Sequence, residues 1–224
     1  VMDIVERLLD RSLLFISGEG PRFAMLRSIF DFSEQKLLQS TMQEDVLIRH
    51  AKRFSQWSDR IPELYKHGGE VVLTQANIEM ANIKHAYQNA LENGWVEEVA
   101  KTANFIAHIG SMIGSLDENI ECLENTLKVE NLADIWLLRL KIELASAYFD
   151  SYHTDQSIRV VDLCRRNFSD EIGEPEEIRL LLQESKIFRR NAQKRLAEEV
   201  TTLVHSKALV IISHTLGNLL ECYT

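Results

Sequence analysis

Proline, glycine and cysteine are scarce in this chain. Three prolines and nine glycines occur among 224 residues. Folds made of many short strands spend turn residues freely, so the shortage argues against a sandwich or barrel and for helices. The three cysteines, Cys122, Cys164 and Cys222, are odd in number, far apart and form no CxxC motif. Neither a disulfide framework nor a cysteine zinc site is expected. Each thiol sits in an apolar helical context, where free cysteine acts as a small buried hydrophobe, and the usage fits a reducing cytoplasm. No run of about 18 apolar residues exists, so no membrane span is expected. Net positive charge is missing too. The formal charge is -9, which lowers the expectation of a general nucleic-acid binder. The densest basic cluster is Lys186, Arg189, Arg190, Lys194 and Arg195, whose spacing spreads it around a helix as a solvated stripe. Val1, Asp3 and Glu6 supply no basic leader, so the start is not expected to be a signal peptide.

What is present is ordinary for a globular chain: 45% hydrophobic and 26% charged residues, over a length that can bury a core. Residues 3–14, DIVERLLDRSLL, carry Ile4, Val5, Leu8, Leu9 and Leu13 at helical spacing, with Asp3 as a cap. Phe15 and Ile16, then Ser17-Gly18-Glu19-Gly20-Pro21, then Phe23 to Leu26 read as a β-hairpin. Helical period returns over 27–39. Helix, hairpin, helix is what the latter half of a winged-helix domain would give. A long helix is expected from Gln43 to about Tyr65, with Pro62 kinking or stopping it, and the clearest break is Lys66-His67-Gly68-Gly69. The next helix should face inward through Ile78, Ala81, Asn82, His85, Ala86, Asn89 and Ala90 and close at Asn93-Gly94.

From Trp95 to about Phe168 the sequence repeats at an offset of 38: Ile106 with Leu144, Ala107 with Ala145, Asp117 with Asp155, Ile120 with Ile158, Leu123 with Val161. Each copy reads as two helices and a short polar turn. Small residues at Ala145, Ser157 and Cys164 permit close approach, while Leu144, Tyr148 and Val161 fill the space between. That is the mechanics of a tetratricopeptide unit. Glu176 to about His205 continues as helix, and Ala208–Tyr223 reads as a further apolar helix. The chain opens on Val1 directly in helical pattern and closes on the apolar LGNLLECYT, so it reads as a piece of something longer.

Several landmarks fall in a telling order: Ser12-Leu13-Leu14, Arg22-Phe23-Ala24-Met25-Leu26, Arg49-His50-Ala51 with Phe54, and Glu79, Asn82, Ala86, Ala90, Leu91 closed by Gly94. Over roughly residues 4–165 this order resembles bacterial STAND-type signalling ATPases, many of them transcriptional regulators, from the end of their winged-helix domain into their tetratricopeptide-like repeats. One departure is Ile29-Phe30-Asp31-Phe32-Ser33, where the family pattern carries an arginine at the position of Phe30. The resemblance implies an upstream ATP/ADP site. No GxxxxGK[ST] occurs here, so no cofactor is expected in this stretch.

Catalytic constellations are missing. His50, His67, His85, His108, His153, His205 and His214 form no metal-ligand spacing, and no GxSxG occurs. Glu97-Glu98, Glu176-Glu177 and Glu198-Glu199 are neighbours that point to different sides of a helix. An enzyme is therefore not expected. Glu19 at the hairpin tip would repel phosphate, which disfavours a DNA-touching wing.

The expected architecture is mainly α: a partial winged helix with one β-hairpin over 1–40, a helical connector over 41–94, and a tetratricopeptide-like α-α superhelix over 95–224. The expected function is non-catalytic regulation, binding an effector or protein partner in the cytoplasm and answering to an upstream nucleotide-binding domain. A stand-alone scaffold is the alternative, and a winged-helix DNA module a further one. The first helix of each pair should line the groove, which places Lys101, Asn104, His108 and Ser111, then Arg139, Ile142, Ser146 and Phe149, as exposed groove positions, with Met112 and Trp136 in the core.

Overall fold

A computed structural model describes residues 2–17, 22–66, 68–168 and 173–205. The hairpin tip Gly18-Glu19-Gly20-Pro21, His67, the Ala208–Tyr223 stretch, Cys222 and His214 lie outside the described residues. Among the described residues the protein is mainly α-helical, with one two-stranded antiparallel hairpin near its start. It divides into two compact units, Val1–Arg53 and Phe54–Thr224. That division falls inside the stretch read as a connector.

In the first unit, α1 (Met2–Asp10) is shorter than its sequence pattern. The chain leaves the helix at Ser12, whose φ of 55° is left-handed, and Leu13 and Leu14 donate backwards to the Leu8 carbonyl. Strands β1 (Phe15–Ile16) and β2 (Phe23–Ala24) pair Phe15 with Ala24 and Ile16 with Phe23. Helix α2 (Arg27–Leu38) follows, and Arg27 pairs with Asp31 at 2.9 Å one turn on. Apolar side chains stay open to solvent across all these elements: Ile4, Phe15, Ile16, Phe32 and Leu38 are exposed, and neither α1 nor α2 buries a residue.

Helix α3 (Gln43–Ser55) runs across the division. The expected single helix to Tyr65 is instead three pieces. The chain tightens into a 3-10 turn over Gln56–Arg60, and α4 (Ile61–Leu64) begins anew with Pro62 in its first turn. Proline has no N–H for an i→i−4 bond, and a first turn needs none there. The 3-10 turn sets Trp57 against Phe105, ring centroids 5.6 Å apart. The turn at 66–69 lies within the second unit. Gly68 is left-handed at φ 94°, and a Cβ on Gly69 would stand 2.3 Å from the Leu64 carbonyl oxygen, so both positions require glycine.

Helix α5 (Gly69–Asn93) closes at left-handed Gly94, with Trp95 N–H donating to the Ala90 carbonyl at 2.9 Å. Its inward face is Val72, Ala76, Ile83, Ala86, Tyr87, Asn89 and Ala90. Ile78, expected inside, is 54% exposed. Ile83 and Tyr87 take the core side instead, Tyr87 donating to the Cys122 carbonyl at 3.1 Å.

The two helix pairs follow in register. Helices α6 (Val96–Ile113) and α8 (Asp134–Asp150) start 38 residues apart, as do α7 (Leu116–Thr126) and α9 (Thr154–Asn167). Ala145, Ser157 and Cys164 are fully buried, and Ser157 Oγ donates to the Ala145 carbonyl at 2.7 Å. The first copy repeats this bond 38 residues earlier, Asn119 Nδ2 to the Ala107 carbonyl at 2.9 Å. Leu144 and Val161 fill the core, but Tyr148 is only half-buried and donates from its hydroxyl to Glu124 on α7. Gly110 explains the difference between copies: a Cβ there would lie 2.7 Å from Asn119 Cγ. The first copy combines glycine with asparagine, the second Tyr148 with the smaller Ser157.

Helix α10 (Glu174–His205) is one continuous helix laid on α8 and α9. Leu180 and Ile187 enter a core with Leu138, Ile142, Phe149, Val161 and Phe168. Gln183 Nε2 donates to both the Ala145 carbonyl and Ser157 Oγ at 3.1 Å, joining the third layer to the buried bond of the second. Among the described residues, no helix is long and apolar enough to cross a membrane.

Candidate ligand groove

Where α4 ends and α6, α8 and α10 converge, a cluster of ionisable and polar side chains lies among apolar walls. His108 comes from α6, Glu143 from α8, Arg179 from α10, and Tyr65 directly follows α4. Tyr65 OH and His108 Nδ1 are 2.8 Å apart. His108 Nε2 stands 3.6 Å from Glu143 Oε1 and 3.5 Å from Arg179 Nη2. Arg179 and Glu143 form an ion pair. One tautomer serves this network best: with the proton on Nε2, Tyr65 donates to Nδ1 and the Nε2–H faces Glu143.

Burial, with the Arg179 guanidinium beside it, lowers His108 from the usual imidazole value to about 3. The ring is therefore neutral near pH 7, and its contact with Glu143 is not a charge pair. Arg179 carries the charge that Glu143 meets. One turn along α8, Arg139 pairs with Glu176 at 2.8 Å and lies 5.4 Å from the centre of the Trp136 ring. Lys101 meets Glu97 on its own helix at 2.6 Å, and that bond raises its ammonium above the ordinary lysine value.

Two cavities adjoin at this cluster and share Tyr65, His108 and Arg179 as walls. One, of about 450 Å³, reaches toward Ile61 and Pro62 and is lined by Lys101, Asn104, Trp136 and Arg139. The other, of about 560 Å³, runs along Ser111, Met112, Ile142 and Ser146 toward Lys186. The amide oxygen of Asn104, a residue 5% exposed, has no hydrogen-bond partner. A third, smaller cavity of about 280 Å³ lies apart from these, beside Tyr87, Asn119 and Cys122.

Seven of the eight positions read from the sequence line these two cavities: Lys101, Asn104, His108, Ser111, Arg139, Ile142 and Ser146. Phe149 does not. It is buried beneath Arg190, whose guanidinium lies 3.5 Å from its ring centre. Exposure also differs from expectation: Asn104, His108, Ile142 and Phe149 are buried. Helix α10 packs on α8 and covers part of the face that an open two-pair array would leave to solvent. Met112 and Trp136, expected in the core, are wall residues instead, Met112 39% exposed and Trp136 half-buried.

Sequence reasoning missed Tyr65, Glu143, Glu176 and Arg179. A signal for Glu143 was available. Its partner at the 38-residue offset is Phe105, which is fully buried. A carboxylate on a repeat position that is core in the other copy marks a buried charge, and buried charges need partners. No comparable signal marks Arg179.

Among the described residues, no group of three or more His, Cys, Asp or Glu is placed to hold a metal ion. Burial pushes the thiols of Cys122 and Cys164 up to about 11, so neither is a ready nucleophile. No protein-family model matches the chain, and neither a curated protein nor a solved structure does.

Proposed function

We propose that this chain is a non-catalytic regulatory region that receives an effector or a protein partner in the groove of stacked, tetratricopeptide-like helix pairs. The observation that carries the reading is the pair of adjoining cavities that share His108 and Arg179 as walls, with Glu143, the buried partner of Arg179, lining the larger one. Buried charge is costly, and its occurrence beside concave space is more often a feature of binding sites than of plain cores. The walls come from α6, α8 and α10 together, so an occupant would touch all three layers and bias how they stack. A cytoplasmic location and coupling to an upstream nucleotide-dependent switch follow from the family resemblance and belong to this proposal.

The test is a thermal-shift screen of the chain against sugars, nucleotides and small metabolites, with Arg139→Ala in parallel. A compound that raises Tm in the wild type and not in Arg139→Ala supports the reading. A partner protein whose binding is weakened by Arg139→Ala would support it equally. If neither small molecules nor partners respond to substitutions on the cavity walls, the reading fails.

A further inference from the structure

We infer that the two adjoining cavities form one site for a small, uncharged ligand rich in hydrogen-bond donors. This deepens the groove reading above and rests on it.

The electrostatics of the walls argue against a charged occupant. Arg179 is committed to Glu143, and Arg139 to Glu176. Glu143 and Glu176 are 8% and 4% exposed, so little water reaches them to replace a lost partner. Each guanidinium is already neutralised by a buried carboxylate, so an anion on its remaining N–H donors would face that carboxylate's like charge, and drawing the arginine away would leave the carboxylate buried and unpaired. A cation seated on Glu143 would strand Arg179 in the same way. A neutral molecule disturbs neither pair. The other charged wall residues, Lys101 and Asp59 of one cavity and Lys186 and Asp150 of the other, are partly or fully open to solvent, where an ionic group would gain little.

The unmet hydrogen-bonding capacity then says which kind of neutral molecule. Asn104 Oδ1 is buried, lines the smaller cavity and accepts from nothing. An acceptor in that state calls for a donor from the occupant. Ser111 Oγ already spends its proton on the His108 carbonyl, at 2.8 Å, which leaves its lone pairs as acceptors as well. The rings of Trp136 and Tyr65 line the smaller cavity with Asn104, and Tyr65 also lines the larger one with Ser111, which gives each acceptor a flat apolar wall in its own cavity. Each cavity falls within the range of about 300–1,000 Å³ usual for small-molecule pockets. Hydroxyl-rich and amide-bearing molecules share this chemistry.

Saturation-transfer NMR on the whole chain tests the inference with matched probes. The neutral probes are myo-inositol and benzamide. Their charged counterparts are glucuronate and benzoate as anions, glucosamine and benzylamine as cations. A neutral probe is expected to bind about tenfold more tightly than its charged counterparts. Asn104→Leu, which keeps the volume and removes the acceptor, should abolish the preferred probe's signal. Glu143→Gln frees Arg179 and should shift preference toward the anions. Should Glu143→Gln fail to fold, Ser146→Phe fills the larger cavity while leaving every charge in place, and it too should abolish the signal. If a charged probe binds best in the wild type and Ser146→Phe removes it, the inference is overturned while the groove reading stands. If no probe gives a signal that depends on Asn104 or Ser146, the inference is overturned, and the groove reading is then decided by the partner arm of its own experiment.

Discussion

His108 shows how one buried side chain can tie stability to pH. Its folded value of about 3 lies below the unfolded imidazole value of about 6.5. Between these limits the unfolded chain binds a proton that the folded chain refuses. Stability from this residue is therefore fully present above about pH 6.5 and is lost as pH falls toward 3. The groups facing the ring are Tyr65, Glu143 and Arg179, and the arginine adds to the refusal. Replacing the ring by the neutral, non-titrating His108→Gln removes this dependence. Urea midpoints compared at pH 7 and pH 4 should show the wild type losing roughly 3 kcal/mol more than His108→Gln over that interval. Parallel losses in the two proteins would mean that His108 takes up its proton in the folded state without penalty.

At the scale of elements, the close approach of α6 and α7 depends on a pair of residues read together. Gly110→Ala would gain about 1 kcal/mol of helix propensity on an exposed helix. Here it places a methyl group 2.7 Å from Asn119 Cγ between two buried positions, and overpacking of that kind costs about 1–3 kcal/mol. The clash wins, and Gly110→Ala is expected to lower stability. Adding Asn119→Ser should restore it, because serine at the equivalent place in the second pair, Ser157, makes the same interhelical bond to a carbonyl. A double-mutant cycle by thermal melting checks this, and additive losses would show that the two positions do not share one space. The same pair shows what could be read in advance. The 38-residue offset showed two copies of a helix pair, whose starts in the structure keep that spacing, and Ala145, Ser157 and Cys164 were legible as contact points because only small residues let helices approach. The inward face of α5 was misread because its alanines suit either side, and only the placement of Ile83 and Tyr87 decides. Groove exposure was misread because it depends on α10, whose docking rests on Leu180, Gln183 and Ile187, residues that repeat nothing clearly in the earlier copies.

For the whole molecule, burial is distributed unevenly between the two units. In the first, α1 and α2 bury no residue, and Ile16, Phe32 and Leu38 are each about 60% exposed, so little apolar area opposes local opening. In the second, α6 alone buries an unbroken run from Thr102 to Gly110, and α8 buries Leu138, Leu140 and the stretch from Ile142 to Ala145. Conformational entropy opposes both units in proportion to length, while hydrophobic stabilisation follows buried area, so the two should not open at one free energy. Native-state hydrogen exchange read by mass spectrometry should find peptides spanning α1 to α2 exchanging well before those of α6 and α8. In mild urea the early-exchanging set should remain confined to the first unit until the second unfolds. Equal protection across both units would show instead that the exposed apolar surface of the hairpin and its helices is covered in solution, and a concentration-dependent rise in that protection would identify the cover as a second copy of the chain.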